Sequence, residues 1–251
     1  MTKKLLLTEV TLLVVAVLLF AQTSYAYFSS QKQAGATITS GSVSVMLSEA
    51  AVTRDENGDL VEDRTQPRIF GTAEGTVHDY GMVSPGQRIF KDPTISNTGS
   101  NEAWIAAKIS ISDGAGDIHR VMGMENYDDI DISDFMTGGL LAEEAHFGVW
   151  NGLEDVTHNS HFAMLQIPHR AEDRYDFYVF ILAPVAKAES VVLFENLYFL
   201  LEYSNTDIQE FADLRIDVMA YAVQRYGFGS CYDAMLEALP EHFSDLVQSA
   251  P

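Results

Sequence analysis

His158-Asn159-Ser160-His161 is the part of this chain whose spacing comes nearest to a metal site, with His146 and His169 on either side. Two histidines three apart share one face of a helix and can share an ion, but no helical pattern runs through this stretch. The common zinc proteases need His-Glu-x-x-His, in which two ligands sit one turn apart and the glutamate is the base. That string is absent. A surface loop accounts for these histidines better. Asp55-Glu56-Asn57-Gly58-Asp59 has the acids of a calcium loop but not its frame. Counted from Asp55, Leu60 holds the sixth place, where the loop needs glycine, and uncharged Gln66 holds the twelfth. Asn-Gly instead predicts a hairpin over Thr53 to Asp63. The acids at Glu125, Asp128, Asp129, Asp131 and Asp134 read as a solvated loop. Glu241-His242 has no partner at useful spacing. There is no Gly-x-Ser-x-Gly elbow and no Cys/His nucleophile setting around Cys231. The expectation is therefore a noncatalytic protein with no metal and no cofactor.

One covalent step is legible, and the chain is its substrate. Lys3 and Lys4 precede an apolar run from Leu5 to Phe20, and Ser24-Tyr25-Ala26 then places small residues at −3 and −1 of a cut. This is the layout of a secretory signal peptide over residues 1–26. The run is shorter than the ~20 apolar residues of a spanning helix, and Thr8, Glu9 and Thr11 interrupt it. Cleavage between Ala26 and Tyr27 is the expectation, with a secreted product at the cell surface or in the extracellular matrix. It frees an amino-terminal arm that starts Tyr27-Phe28-Ser29-Ser30. Two aromatics on a free end suit pocket anchoring, so residues 27–36 are assigned to assembly.

Composition narrows the partners. Losing residues 1–26 removes two positive charges and one negative one and takes the formal charge from −21 to −22. Such a surface repels nucleic acid and anionic lipid, and both are discounted. With one cysteine there is no internal disulfide, and Cys231 reads as a buried small apolar residue.

The elements that must carry these features are strands. Val43, Val45 and Leu47 alternate with polar neighbours or Met46. So do Ile105 to Ile111, Tyr175 to Ile181 and Leu214 to Ala222 in steps of two. Period two places one face on a core. Leu197 to Leu201 reads as a strand buried on both faces. Tyr175, Phe177, Tyr178, Phe180, Phe194, Tyr198 and Phe199 read as core rather than as a carbohydrate platform. Ser84-Pro85-Gly86 is a turn. Asn97-Thr98-Gly99-Ser100 is predicted to join strands at Ile89–Ser96 and Ala103–Ile111. Residues 112–174 read as an irregular insertion, with helix considered around Ser133 to Phe147 against the Gly138-Gly139 pair. Ser230 is a predicted N-cap for Cys231 to Leu239, ended by Pro240, within a helical tail over 230–248. The expectation is a single all-β domain over 27–251, a jelly-roll-like antiparallel sandwich.

Several segments, in order, carry a resemblance. They are Ala26-Tyr27-Phe28-Ser29-Ser30, Ala36-Thr37-Ile38-Thr39-Ser40-Gly41-Ser42-Val43, Val83-Ser84-Pro85-Gly86-Gln87, Lys91 to Ser100, and Ala220 to Gln224 followed by Tyr226-Gly227-Phe228. Together they resemble the TasA/camelysin family of exported bacterial proteins, over roughly 20–47, 80–111 and 175–228. Glu9 departs from the family's leaders, and 112–174 has no counterpart. The resemblance implies processing by a SipW-type signal peptidase, a jelly-roll sandwich, and self-association into biofilm matrix fibres, with other matrix proteins as further partners. It also implies that one subunit's arm adds as a strand to its neighbour. Two alternatives are a monomeric cell-surface β-sandwich binding module and, because some relatives are labelled so, a camelysin-like metalloprotease.

Overall fold

A computed structural model describes residues 29–31, 42–71, 86–112, 135–151, 153–169, 172, 174–198 and 215–248. The chain is an all-β sandwich, as the period-two runs require. Its strands are β1 (Ser29–Gln31), β2 (Val45–Glu49), β3 (Val52–Arg54), β4 (Leu60–Glu62), β5 (Ile69–Phe70), β6 (Arg88–Phe90), β7 (Thr94–Asn97) and β8 (Ala103–Ser112). They continue with β9 (Met136–Thr137), β10 (His146–Trp150), β11 (Leu153–His158), β12 (Phe162–His169), β13 (Arg174–Ile181), β14 (Ser190–Val192), β15 (Asn196–Tyr198) and β16 (Arg215–Gln224). Helices α1 (Cys231–Ala238) and α2 (Ser244–Gln248) follow, with a 3-10 turn at Pro240–His242 between them.

One large sheet runs β1-β16-β8-β13-β12-β11-β10, antiparallel throughout. Two smaller sheets, β14-β7-β2-β5 and β3-β4-β6-β15-β9, form the opposing layer. Only β4 and β6 pair in parallel among the described strands. The alternating residues Ile105, Ile109, Phe177, Val179 and Ala220 meet Val45, Ile95 and Leu197 of the smaller sheets in one apolar core.

The large sheet is also buried on its other face, which period two alone does not predict. Trp104, Ala106, Tyr178, Phe180, Tyr221 and Val223 point away from the sandwich and are covered by Cys231, Met235, Leu239, Phe243 and Leu246 of the tail. The tail's start is the expected one: Ser230 Oγ accepts the N–H of Asp233 at 3.1 Å. The aromatic run from Tyr175 to Phe180 is core, and Phe194 joins it.

Three expectations need correction. Residues 112–174 are not irregular throughout: β10, β11 and β12 complete the large sheet from within that span. The helix around Ser133 to Phe147 is absent from its described part, where β9, a 3-10 turn at Leu140–Ala142 and the start of β10 stand instead. Gly138 and Gly139 stand at φ 77° and 65°, outside the helical region, and cut off Leu140–Ala145, whose own residues favour helix, after a single 3-10 turn. The Asn97 turn joins two strands as expected, handing the chain from β7 to β8 of the large sheet, but the single strand expected at Ile89–Ser96 is two, β6 and β7, in different sheets. The Asn-Gly hairpin is present as β3 and β4, with a five-residue loop and Gly58 at φ 88°. Ile38 to Gly41 and Phe199 to Leu214 lie outside the described residues.

Candidate functional site

The loops with metal-like composition are spent on local structure. Asp55 Oδ1 accepts the N–H groups of Asn57 and Asp59 at 2.8 and 2.9 Å, so that carboxylate oxygen caps the hairpin. His146 stands opposite His158 across β10 and β11. His161 lies in the following turn and pairs with Glu143. Glu125 to Asp134 lies outside the described residues.

Among the described residues, one three-donor group converges: His169, Asp176 and Asp245, with ligand atoms within 4.8 Å of one another. Period two explains it. Lys108, Ser110 and Asp176 share the tail-facing side of β8 and β13, just beyond the apolar patch that the tail covers. Asp176 is fully buried. Ser110 Oγ donates to its Oδ1 at 2.6 Å, and Arg174 Nε is 3.2 Å from the same oxygen. Lys108 Nζ and His169 Nε2 stand 2.7 and 2.9 Å from Oδ2. Tyr178 donates its hydroxyl to Asp245 Oδ2 at 3.0 Å. Burial pushes the Asp176 carboxyl up, but the hydrogen bonds from Lys108 and Ser110, and the charges of Lys108 and Arg174, outweigh it. The result lies below the ordinary carboxylate range. Burial, then the charge of Asp176, pushes the Tyr221 hydroxyl up to about 12.

The Lys108 ammonium, 2.7 Å from Oδ2, opposes a divalent ion there, although Oδ2 and His169 Nε2 complete no hydrogen bond of good geometry. The donor set therefore suits charge balance better than a metal. Its mechanical effect is to fasten α2 to the sheet through Asp245. Sequence reading missed this cluster, although a lone acid inside Tyr175-Asp176-Phe177-Tyr178 was its visible signal.

The segments that carry the resemblance serve packing. Lys91 Nζ lies 2.8 Å from both carboxylate oxygens of Glu49, at 3% and 1% side-chain exposure respectively. Asp92 accepts the N–H of Ala50 at 2.7 Å and pairs with Arg68 at 2.7 Å. Asn97 Nδ2 donates to the carbonyls of Asn101 and Val185, and its Oδ1 accepts the N–H of Gly99. A Cβ on Gly99 would lie 2.4 Å from the Ser42 carbonyl oxygen, so the backbones approach too closely for any side chain.

The assigned arm is described only in its middle. Ser29 and Ser30 fall in β1, while Ala26, Tyr27 and Phe28 lie outside the described residues. Strand β1 pairs antiparallel with β16: Ser29 with Val223, Ser30 with Ala222, Gln31 with Tyr221. Strand β16 pairs with β8 along its whole length, from Arg215 opposite Ser112 to Gln224 opposite Ala103. On its outer side, among the described residues, only β1 covers it. Cys231 is buried as expected, donates Sγ–H to the Ile105 carbonyl at 3.2 Å, and has its thiol pKa pushed up by burial. Among the described residues no helix is long and apolar enough to cross a membrane. No family model, curated protein or solved structure matches this chain.

Proposed function

We propose that this protein is a secreted, noncatalytic structural subunit, a TasA-like extracellular matrix protein that assembles by donating its amino-terminal arm to a neighbouring copy. The observation that carries this reading is the pairing of Ser29–Gln31 with the outer edge of β16. The arm thus has a partner edge of the right polarity within its own fold. The arm from Tyr27 to Ala36 and strand β16 are each ten residues long. The same contact made between copies is head-to-tail and propagates, whereas made within one chain it caps the edge. The second outcome favours the alternative of a monomeric surface module, because the pairing seen lies within a single chain.

Cleavage after Ala26 by a SipW-type signal peptidase would free the arm. Amino-terminal sequencing of the exported protein should begin Tyr-Phe-Ser-Ser. The chain starting at Tyr27 should form filaments visible by electron microscopy. Deleting Tyr27 to Ala34 should leave a folded chain that forms no filaments, since both cores begin later in the chain. Equal sedimentation of the two chains, under every salt and pH tried, would leave the monomeric module as the reading.

A further inference from the structure

The large sheet has a second edge, β10, and its chemistry is unlike that of the first. Among the described residues no strand lies outside β10. Phe147 and Val149 are 69% and 67% exposed. Protein sheets usually guard such an edge with lysine, proline or inward charges. His146-Phe147-Gly148-Val149-Trp150 has none of these; a bulge against β11 between Gly148 and Trp150 is its one irregularity. A Cβ on Gly148 would meet no atom within 4 Å, so its backbone is open to approach.

We propose that β10 is a self-association edge, on which two copies of this chain pair β10 to β10, antiparallel, about Gly148. The sequence of the strand is complementary to itself in that register. Gly148 stands opposite Gly148 of the second copy. Phe147 stands opposite Val149 twice over, and His146 opposite Trp150 twice over. Aromatic against β-branched is a favourable cross-strand pair. A twofold contact needs this reciprocity, since each residue must suit its own reflection.

Charge selects a second copy at this edge rather than elsewhere. A chain of formal charge −21 repels itself over most of its surface. Strand β10 contains no acid. Glu154 and Asp155 sit on β11, one strand behind the edge, and Glu143 is paired with His161. No carboxylate therefore faces a carboxylate across the five paired positions. The contact closes on itself and does not use the arm, so it stands or falls separately from strand donation. In a filament it would tie two strands of subunits side by side.

Disulfide trapping in the full-length protein tests the register whatever the arm does. Cys231 is buried and will not compete. Under mild oxidation Gly148→Cys should give a covalent dimer on a denaturing gel. Phe147→Cys, displaced from its own copy by two positions, should give several-fold less. The double variant Phe147→Lys/Val149→Lys alters exposed side chains, so its circular dichroism should match the parent's. Its self-association in sedimentation should weaken about tenfold or more, because like charges then face each other across the pair. Equal trapping at 147 and 148 would overturn the register. No trapping at either position, or unchanged association of the lysine variant, would overturn the edge itself.

Discussion

Glu49 and Lys91 form an ion pair in the interior of the smaller layer, 42 residues apart in sequence but 2.8 Å apart in space. Taking both charges out of water is costly, and their attraction offsets the cost only while both are present. Removing one leaves the other stranded. Glu49→Gln or Lys91→Met alone should lose about 3–5 kcal/mol in urea unfolding, whereas Glu49→Leu with Lys91→Met should lose far less. A double variant as unstable as the sum of the two would show that the pair stabilises by itself. Asp176 makes a different prediction, about acid. Its folded pKa lies below the ordinary value of about 3.9. The unfolded chain therefore binds its proton first as pH falls. The stabilisation is fully present above pH ~4 and disappears as pH drops through the lowered folded value. Asp176→Asn should be less stable than the parent at pH 7, and the gap should narrow below pH ~4. A gap independent of pH would mean that Asp176 acts through shape rather than charge.

The tail made of α1, the 3-10 turn and α2 is the element whose role is least visible from its own sequence. Its start was readable, because Ser230 caps and Pro240 stops. That it seals a second apolar face was not, because Trp104, Tyr178, Phe180 and Tyr221 alternate with residues that already form the first core. Period two identifies a strand with one buried face. It says nothing about a strand sandwiched between a sheet and a helix. Strands β10 to β12 escaped for the opposite reason: Gly148 and Pro168 interrupt their alternation, and a bulge shifts the register between Gly148 and Trp150. The Asp176 cluster needed side chains from β8, β12, β13 and α2 at once. Phe243 lies at the centre of the tail's contact, fully buried, with its ring 5.1 Å from Tyr221 and 5.7 Å from Tyr178. Phe243→Ala should cost about 3–5 kcal/mol. It should also increase hydrophobic-dye binding under native conditions, because the outer face of the large sheet opens when the tail lifts. A stability loss without added dye binding would mean that the tail stays seated over a cavity.

At the scale of the whole molecule, the sheet ends in two edges while the surface is strongly acidic, and the balance between these decides whether copies associate. Under the proposed reading, the arm makes the same backbone pairing with its own β16 or with a neighbour's. The two states then differ little in contact energy. Each added hydrogen bond contributes about 0.5–1.5 kcal/mol net, and burying Phe28 in a pocket adds roughly 1.5–3 kcal/mol. Ordering the arm costs about 1–2 kcal/mol per residue. With so narrow a margin, repulsion between chains of formal charge near −22 becomes the deciding term. Salt shortens its range from about 10 Å at 0.1 M to about 3 Å at 1 M. Lowering the pH toward the sequence pI of 4.4 removes the charge itself. The polymerised fraction of the chain starting at Tyr27 should therefore rise with salt at pH 7, and rise again between pH 7 and pH 5 at fixed salt. The chain lacking Tyr27 to Ala34 should show neither rise beyond what the β10 contact allows, namely a dimer. Sedimentation velocity across that grid separates the cases. Polymer that falls with salt, or that forms equally without the arm, would place the driving contact somewhere other than the arm and β16.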